Sequence, residues 1–152
     1  MTRKSLILLA AGGSAALLAG AFLFQALGYA PCKLCLWQRW PHGAAILIGV
    51  LALAVPGRLL PALGALAALA TSGVGVYHTG VERGWWLGPS TCTSGPIGGK
   101  SAEDLLNSIM NAPLIRCDEV AWSLFGLSMA SWNAILSLAL ALIWVAAARR
   151  HP

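Results

Sequence analysis

Pro31-Cys32-Lys33-Leu34-Cys35-Leu36-Trp37-Gln38-Arg39-Trp40 sets two cysteines in a Cys-x-x-Cys spacing with an arginine four positions after the second, at the junction of two apolar segments. A disulfide across so short a loop gains little chain-entropy stabilisation, so it suits electron traffic better than structural bracing. A helix over 35–39 puts Arg39 on the face of Cys35. A fixed positive charge there favours thiolate over thiol. Pro41 bears on that helix. It either opens the helix as its first residue or kinks it, and it pushes Trp40 towards extended backbone.

Working outward, the segment before this stretch runs uncharged from Leu6 to Tyr29, 24 residues rich in Leu, Ala and Phe, behind the basic leader Arg3-Lys4. That length spans a bilayer core. A cleaved signal is the competing reading, since Gly28-Tyr29-Ala30 resembles a cleavage site, but a signal's apolar region is only about 7–15 residues. The segment after it is clean only from Gly43 to Val55 and reaches span length when extended back to Trp37. Arg39 and His42 then lie near the headgroups, where a charge must snorkel or serve a function. Trp37 and Trp40 read as interfacial anchors.

Pro56-Gly57-Arg58 marks a turn, followed by a third apolar run from Leu59 to Val81, rich in Gly and Ala, the residues that allow close helix approach in lipid. The long polar stretch is 82–121, and a last apolar run covers Trp122 to Ala148 before Arg149-Arg150-His151. Within the polar stretch, Ser101 and Asp104 form a capping-box-like start, and Leu105, Leu106, Ile109 and Met110 make an apolar stripe. A short amphipathic helix on the membrane fits that stripe, as does a turn packed on the loop. No strand pattern is evident.

The whole chain is 152 residues, 58% hydrophobic and 10% charged, with a mean hydropathy of +0.74. This is far more apolar than a soluble domain. The expectation is an all-α membrane protein: one four-transmembrane-helix bundle over residues 1–152, with spans at about 6–29, 37–56, 59–81 and 122–148. Loops at about 30–40 and 82–121 share one side. The other side carries Arg3, Lys4, Arg58, Arg149 and Arg150 in very short flanks without an acid. Short basic flanks stay in the cytoplasm, whereas long loops translocate regardless of charge. Both termini are therefore expected to be cytoplasmic and all four cysteines outside, where disulfides form and turn over. The net charge of +5 reads as a topology signal, not a nucleic-acid footprint.

Cys92 and Cys117, 25 positions apart, are the second pair. Alone they fit a plain disulfide closing the loop. Beside the Cys-x-x-Cys pair they suggest a relay, in which mixed disulfides pass oxidising equivalents between pairs. Four cysteines so spaced match paired zinc ligands poorly. Covalent haem needs a histidine where Leu36 stands. His78 and Glu82, four apart, read as a structural hydrogen bond at a helix end. With no phosphate-binding loop, a lipid-soluble quinone is the fitting electron sink, because disulfide formation releases two electrons and two protons. Arg39 can hold a quinone oxygen or stabilise charge developing on it. Its plainer role is that of a snorkelling topology residue.

The combination resembles the bacterial disulfide bond formation protein B family over almost the whole length. It comprises four apolar runs, Cys32-x-x-Cys35 with Arg39, Cys92 and Cys117 in the second loop, and Trp122-Ser123-Leu124-Phe125-Gly126-Leu127-Ser128-Met129-Ala130-Ser131-Trp132 entering the last run. The resemblance implies a multi-pass protein of the bacterial inner membrane that reoxidises a periplasmic thioredoxin-like (DsbA-like) dithiol oxidase and reduces quinone, ubiquinone ahead of menaquinone. It implies that Cys92 accepts attack from the partner, Cys117 is its pair-mate and exchanges with Cys32, Cys35 faces the quinone and Arg39 supports that contact. The helix at 101–111 also resembles a family feature. Rival readings are a relay like vitamin K epoxide reductase, where the Cys-x-x-Cys comes late in the chain, and a disulfide-braced scaffold without turnover.

Overall fold

A computed structural model describes residues 1–89, 101, 103, 106 and 116–150. Among these, four long helices form an antiparallel bundle: α1 (Arg3–Ala26), α2 (Lys33–Ala54), α3 (Leu59–Glu82) and α4 (Met129–Arg149). Each packs on its two neighbours in the cyclic order α1-α2-α3-α4, and the α1–α3 diagonal barely touches. α1, α3 and α4 are long and apolar enough to cross a membrane. α2, with 22 residues, is about 33 Å long at 1.5 Å per residue. It carries Lys33, Gln38, Arg39 and His42 and is less apolar than the other three. The amphipathic helix expected at 101–111 and Cys92 lie outside the described residues, apart from Ser101, Glu103 and Leu106 of that helix.

Local chemistry sets the helix ends. Thr2 Oγ1 accepts from the amide of Ser5 and caps α1. Cys32 Sγ accepts from the amide of Cys35 and caps α2. Ser128 Oγ accepts from the amide of Ser131 and caps α4. Each satisfies an N–H that the first helical turn leaves open. α1 stops at Ala26, ahead of Gly28 with φ +98°. Pro41 neither opens nor ends α2. The helix runs through it, and Trp40 is helical rather than extended. A bundle can absorb such a proline by supplying backbone partners from neighbouring helices. Pro41 withdraws the N–H that would serve the carbonyl of Trp37; at the next carbonyl along, that of Gln38, the Thr71 hydroxyl of α3 donates at 3.1 Å.

The last apolar run does not become helical at Trp122. Residues β1 (Ser123–Leu124) and β2 (Leu127–Ser128) form a two-stranded antiparallel ribbon, pairing Ser123 with Ser128 and Leu124 with Leu127. Phe125 (φ 52°) and Gly126 (φ 76°) make its two-residue turn. Two positive φ values in such a loop are those of a type I′ hairpin, which matches strand twist.

The end of the bundle bearing the termini is filled by Leu6, Ile7, Ala10, Ala52, Ala65, Ala68, Leu140, Ala141, Trp144 and Ala147. Arg3 ties the turn after α2 to this end, its guanidinium donating to the carbonyl of Gly57 at 2.7 Å. Small residues let large ones enter. A Cβ on Gly64 would sit 2.6 Å from the Trp144 ring, so only glycine lets α3 and α4 close around that indole. The opposite end holds a second buried cluster of Cys32, Leu34, Val81 and Cys117.

Candidate active site

The site at this end is built by two helix ends and one loop. Cys32 precedes α2, Cys35 lies in its first turn, His78 and Glu82 are on the last turns of α3, and Cys117 comes from the segment before α4. Cys32 and Cys35 are free thiols with their sulfurs 2.8 Å apart. Cys32 is buried and Cys35 half-buried. Cys117 is disulfide-bonded and buried in the cluster that contains Cys32. Arg116 and Asp118 flank it as an exposed bidentate pair at 2.9 and 2.6 Å.

The activating contacts converge on Cys32. Its sulfur shares a hydrogen bond with the Cys35 thiol, accepts from the Cys35 amide at 3.2 Å and meets His78 Nε2 at 3.5 Å. The hydrogen bond from Cys35 is the largest influence. With the help of His78 it outweighs burial and holds the Cys32 thiol well below the ordinary thiol range. The sequence alone points instead to Cys35, activated through Arg39. The two residues do share a helix, as expected. The described contacts of the guanidinium, however, go to α1: Gln25 Oε1 at 2.7 Å, the carbonyl of Ala21 at 3.3 Å, and the Phe22 ring at 4.8 Å.

A buried polar network that sequence reasoning missed runs inward from His78. Gln38 Nε2 donates to the carbonyl of Leu34 at 3.1 Å and to His78 Nδ1 at 3.0 Å. Asn133 Nδ2 donates to Gln38 Oε1 at 2.7 Å and to Thr71 Oγ1 at 3.1 Å. His42 Nε2 donates to Asn133 Oδ1 at 2.9 Å. The carbonyls of Leu34 and Gln38 can only accept, so they fix the direction of every bond in the chain. His78 therefore carries its hydrogen on Nε2, facing the Cys32 sulfur. Glu82 Oε1 stands 3.8 Å from that nitrogen, and its other oxygen accepts from Ser128. A signal was available: Cys35, Gln38, Arg39 and His42 are polar residues at helical spacing within an apolar segment.

These groups line a cavity of about 650 Å³, within the usual range for ligand sites. Its polar lining includes Cys32, Cys35, Gln38, Arg39, His42, His78 and Asn133, with the charged Glu82, Arg116 and Glu119, and Leu17, Phe24, Trp122 and Leu136 belong to its apolar lining. The ligand atoms of Cys32, Cys35 and His78 all lie within 4.8 Å of one another. Yet the hydrogen on His78 Nε2 leaves no lone pair there for an ion unless the Gln38 amide reverses against Leu34. The arrangement fits thiol chemistry better than a metal.

The model of the family described as disulfide bond formation protein DsbB matches residues 3–147. The chain belongs to the DsbB family. Its curated relatives include disulfide bond formation protein B of Albidiferax ferrireducens, 30% identical over 86% of this chain and 81% of the relative. Disulfide bond formation protein B 2 of Pseudomonas syringae pv. syringae is 32% identical over 92% and 85%. No solved structure matches. DsbB membership and the apolar helices make this a multi-pass inner-membrane protein with a disulfide oxidoreductase role.

Proposed function

We propose that this chain is a four-span membrane thiol oxidase. It reoxidises a periplasmic thioredoxin-like, DsbA-like dithiol protein and passes the electrons to quinone, ubiquinone ahead of menaquinone. The reading is supported chiefly by one observation: the Cys32–Cys35 pair, with His78 against its first sulfur, opens on a largely apolar cavity. The residues present suit a quinone head group. Arg39 lines the cavity with a buried Nε–H that has no partner, a donor for a quinone oxygen. A bound quinone supplies the capacity to take up two electrons and two protons.

The chain's own residues do the rest. Cys92 accepts attack from the partner's thiolate. The resulting Cys117 thiolate attacks Cys32 of the oxidised first pair, the 32–35 bond breaks, and Cys35 leaves as a thiolate. The partner's second thiolate then attacks its own half of the mixed disulfide, which leaves the partner oxidised and frees Cys92 as a thiolate; Cys92 attacks Cys117, the 92–117 bond re-forms, and Cys32 leaves as a thiolate. In this reading residues 1–152 are one domain with the termini cytoplasmic and α2 is the fourth span; because α2 begins at Lys33, the first periplasmic connection is 27–32 rather than the expected 30–40, and the second covers the chain between α3 and α4.

Mixing the purified protein with a reduced dithiol protein and a quinone tests the proposal. Quinone absorbance is expected to fall in step with thiol loss. Thiol loss without quinone loss, or neither, would refute it.

A further inference from the structure

Two buried polar atoms on α2 have no partner, and both belong to residues lining the cavity: Arg39 Nε and His42 Nδ1. The other two such atoms among the described residues, Ser14 Oγ and Trp144 Nε1, belong to residues outside that lining. Arg39 and His42 are three positions apart and so one turn apart on α2. His42 is only 3% exposed, so water does not readily satisfy it.

The character of each atom is fixed. Arg39 Nε–H can only donate. His42 Nε2 gives its hydrogen to Asn133 Oδ1. Asn133 cannot turn round, because its Nδ2 is held by Gln38 Oε1 and by Thr71 Oγ1, whose own hydrogen goes to the Gln38 carbonyl. His42 Nδ1 is thus left with a bare lone pair. Two neighbouring lining residues thus hold an unanswered donor and an unanswered acceptor one turn apart, buried beside the cavity.

An oxidised quinone has only acceptor oxygens on its ring. It can answer Arg39 and leaves His42 unmatched, which costs the desolvation of a buried acceptor. A quinol answers both, one oxygen accepting from Arg39 and a hydroxyl donating to His42. We infer that His42 is a specificity-determining residue that contacts the head group and favours its reduced form. The inference rests on the quinone reading above. Holding the reduced form more tightly than the oxidised form makes the bound head group a stronger oxidant towards Cys32 and Cys35, by the reciprocity of linked equilibria.

The test is equilibrium binding to the full-length reduced protein without oxygen, comparing a short-chain ubiquinol with its dimethyl ether, which keeps the oxygens and loses the hydroxyl hydrogens. The quinol is expected to bind about tenfold more tightly, the worth of one good hydrogen bond. His42→Phe is expected to erase that preference. A preference that survives in His42→Phe comes from the bulk of the ether methyls and overturns the assignment, as do equal affinities in the unsubstituted protein. If His42→Phe does not fold, His42→Leu takes its place in the same comparison, with loss of the preference expected and a surviving preference overturning the assignment. If neither the quinone nor the quinol binds at all, the quinone reading itself falls, a result distinct from binding without preference.

Discussion

Replacing His78 by phenylalanine isolates the imidazole's action on Cys32. The ring volume is kept, and the Nε2–H donor at 3.5 Å from the sulfur is lost. A hydrogen bond to a charged group contributes about 1.5–3 kcal/mol. At 1.36 kcal/mol per pKa unit, its loss raises the Cys32 thiol by about 1–2 units. The sign follows from the depressed thiol: the thiolate exists above the folded pKa and is lost as pH falls through it. In the variant that loss begins at a higher pH. The assay is a pH titration of thiolate ultraviolet absorbance on reduced protein. Gln38→Met serves as the companion variant. It keeps His78 in place but frees its tautomer, and is expected to move the curve the same way by less. Superimposable titrations for His78→Phe and the unsubstituted protein would refute the claim that the imidazole stabilises the thiolate.

Cys35→Ser is expected to abolish quinone-linked turnover, read as quinone absorbance under excess reduced dithiol partner. Arg39→Ala should act chiefly on quinone use, raising KM for quinone about tenfold for one lost charge-assisted hydrogen bond; unchanged quinone kinetics would remove Arg39 from the site. Gly64→Val should lower the thermal midpoint in detergent, with a cost of about 1–3 kcal/mol for overpacking against Trp144, while the thiol titration of Cys32 stays where it is.

The architecture was legible because lipid leaves a chain few options: an uncharged run of 24 residues in water-free surroundings must be helical. The pairing of Cys32 with Cys35 was legible because it is local. What escaped was whatever depended on distant partners. His78 and Glu82 looked like a helix-end pair, and nothing in their own segment shows that Cys32, 46 positions earlier, arrives at the same nitrogen. Pro41 looked like a start or a kink because its own segment offers no N–H for the carbonyl of Trp37, yet α2 runs through it, packed against Thr71 of α3 at the neighbouring Gln38 carbonyl. The ribbon at 123–128 was hidden inside an apolar run whose hairpin turn, Phe125-Gly126, lacks the usual Asn or Asp at its first position.

The two ends of the bundle are chemically unlike, and this bears on where protons can go. From Cys32 a string of hydrogen-bonding groups reaches as far as His42, Asn133 and Ser137. Beyond them, Ser14 and the indole nitrogen of Trp144 are isolated dipoles in a hydrocarbon plug, bonded to nothing. Among the described residues no conducting line joins the thiols to the face that bears Arg3 and Arg149. The hydrogen-bonding groups among the described residues that a proton leaving Cys32 or Cys35 could use lie in the half of the bundle that holds the two sulfurs.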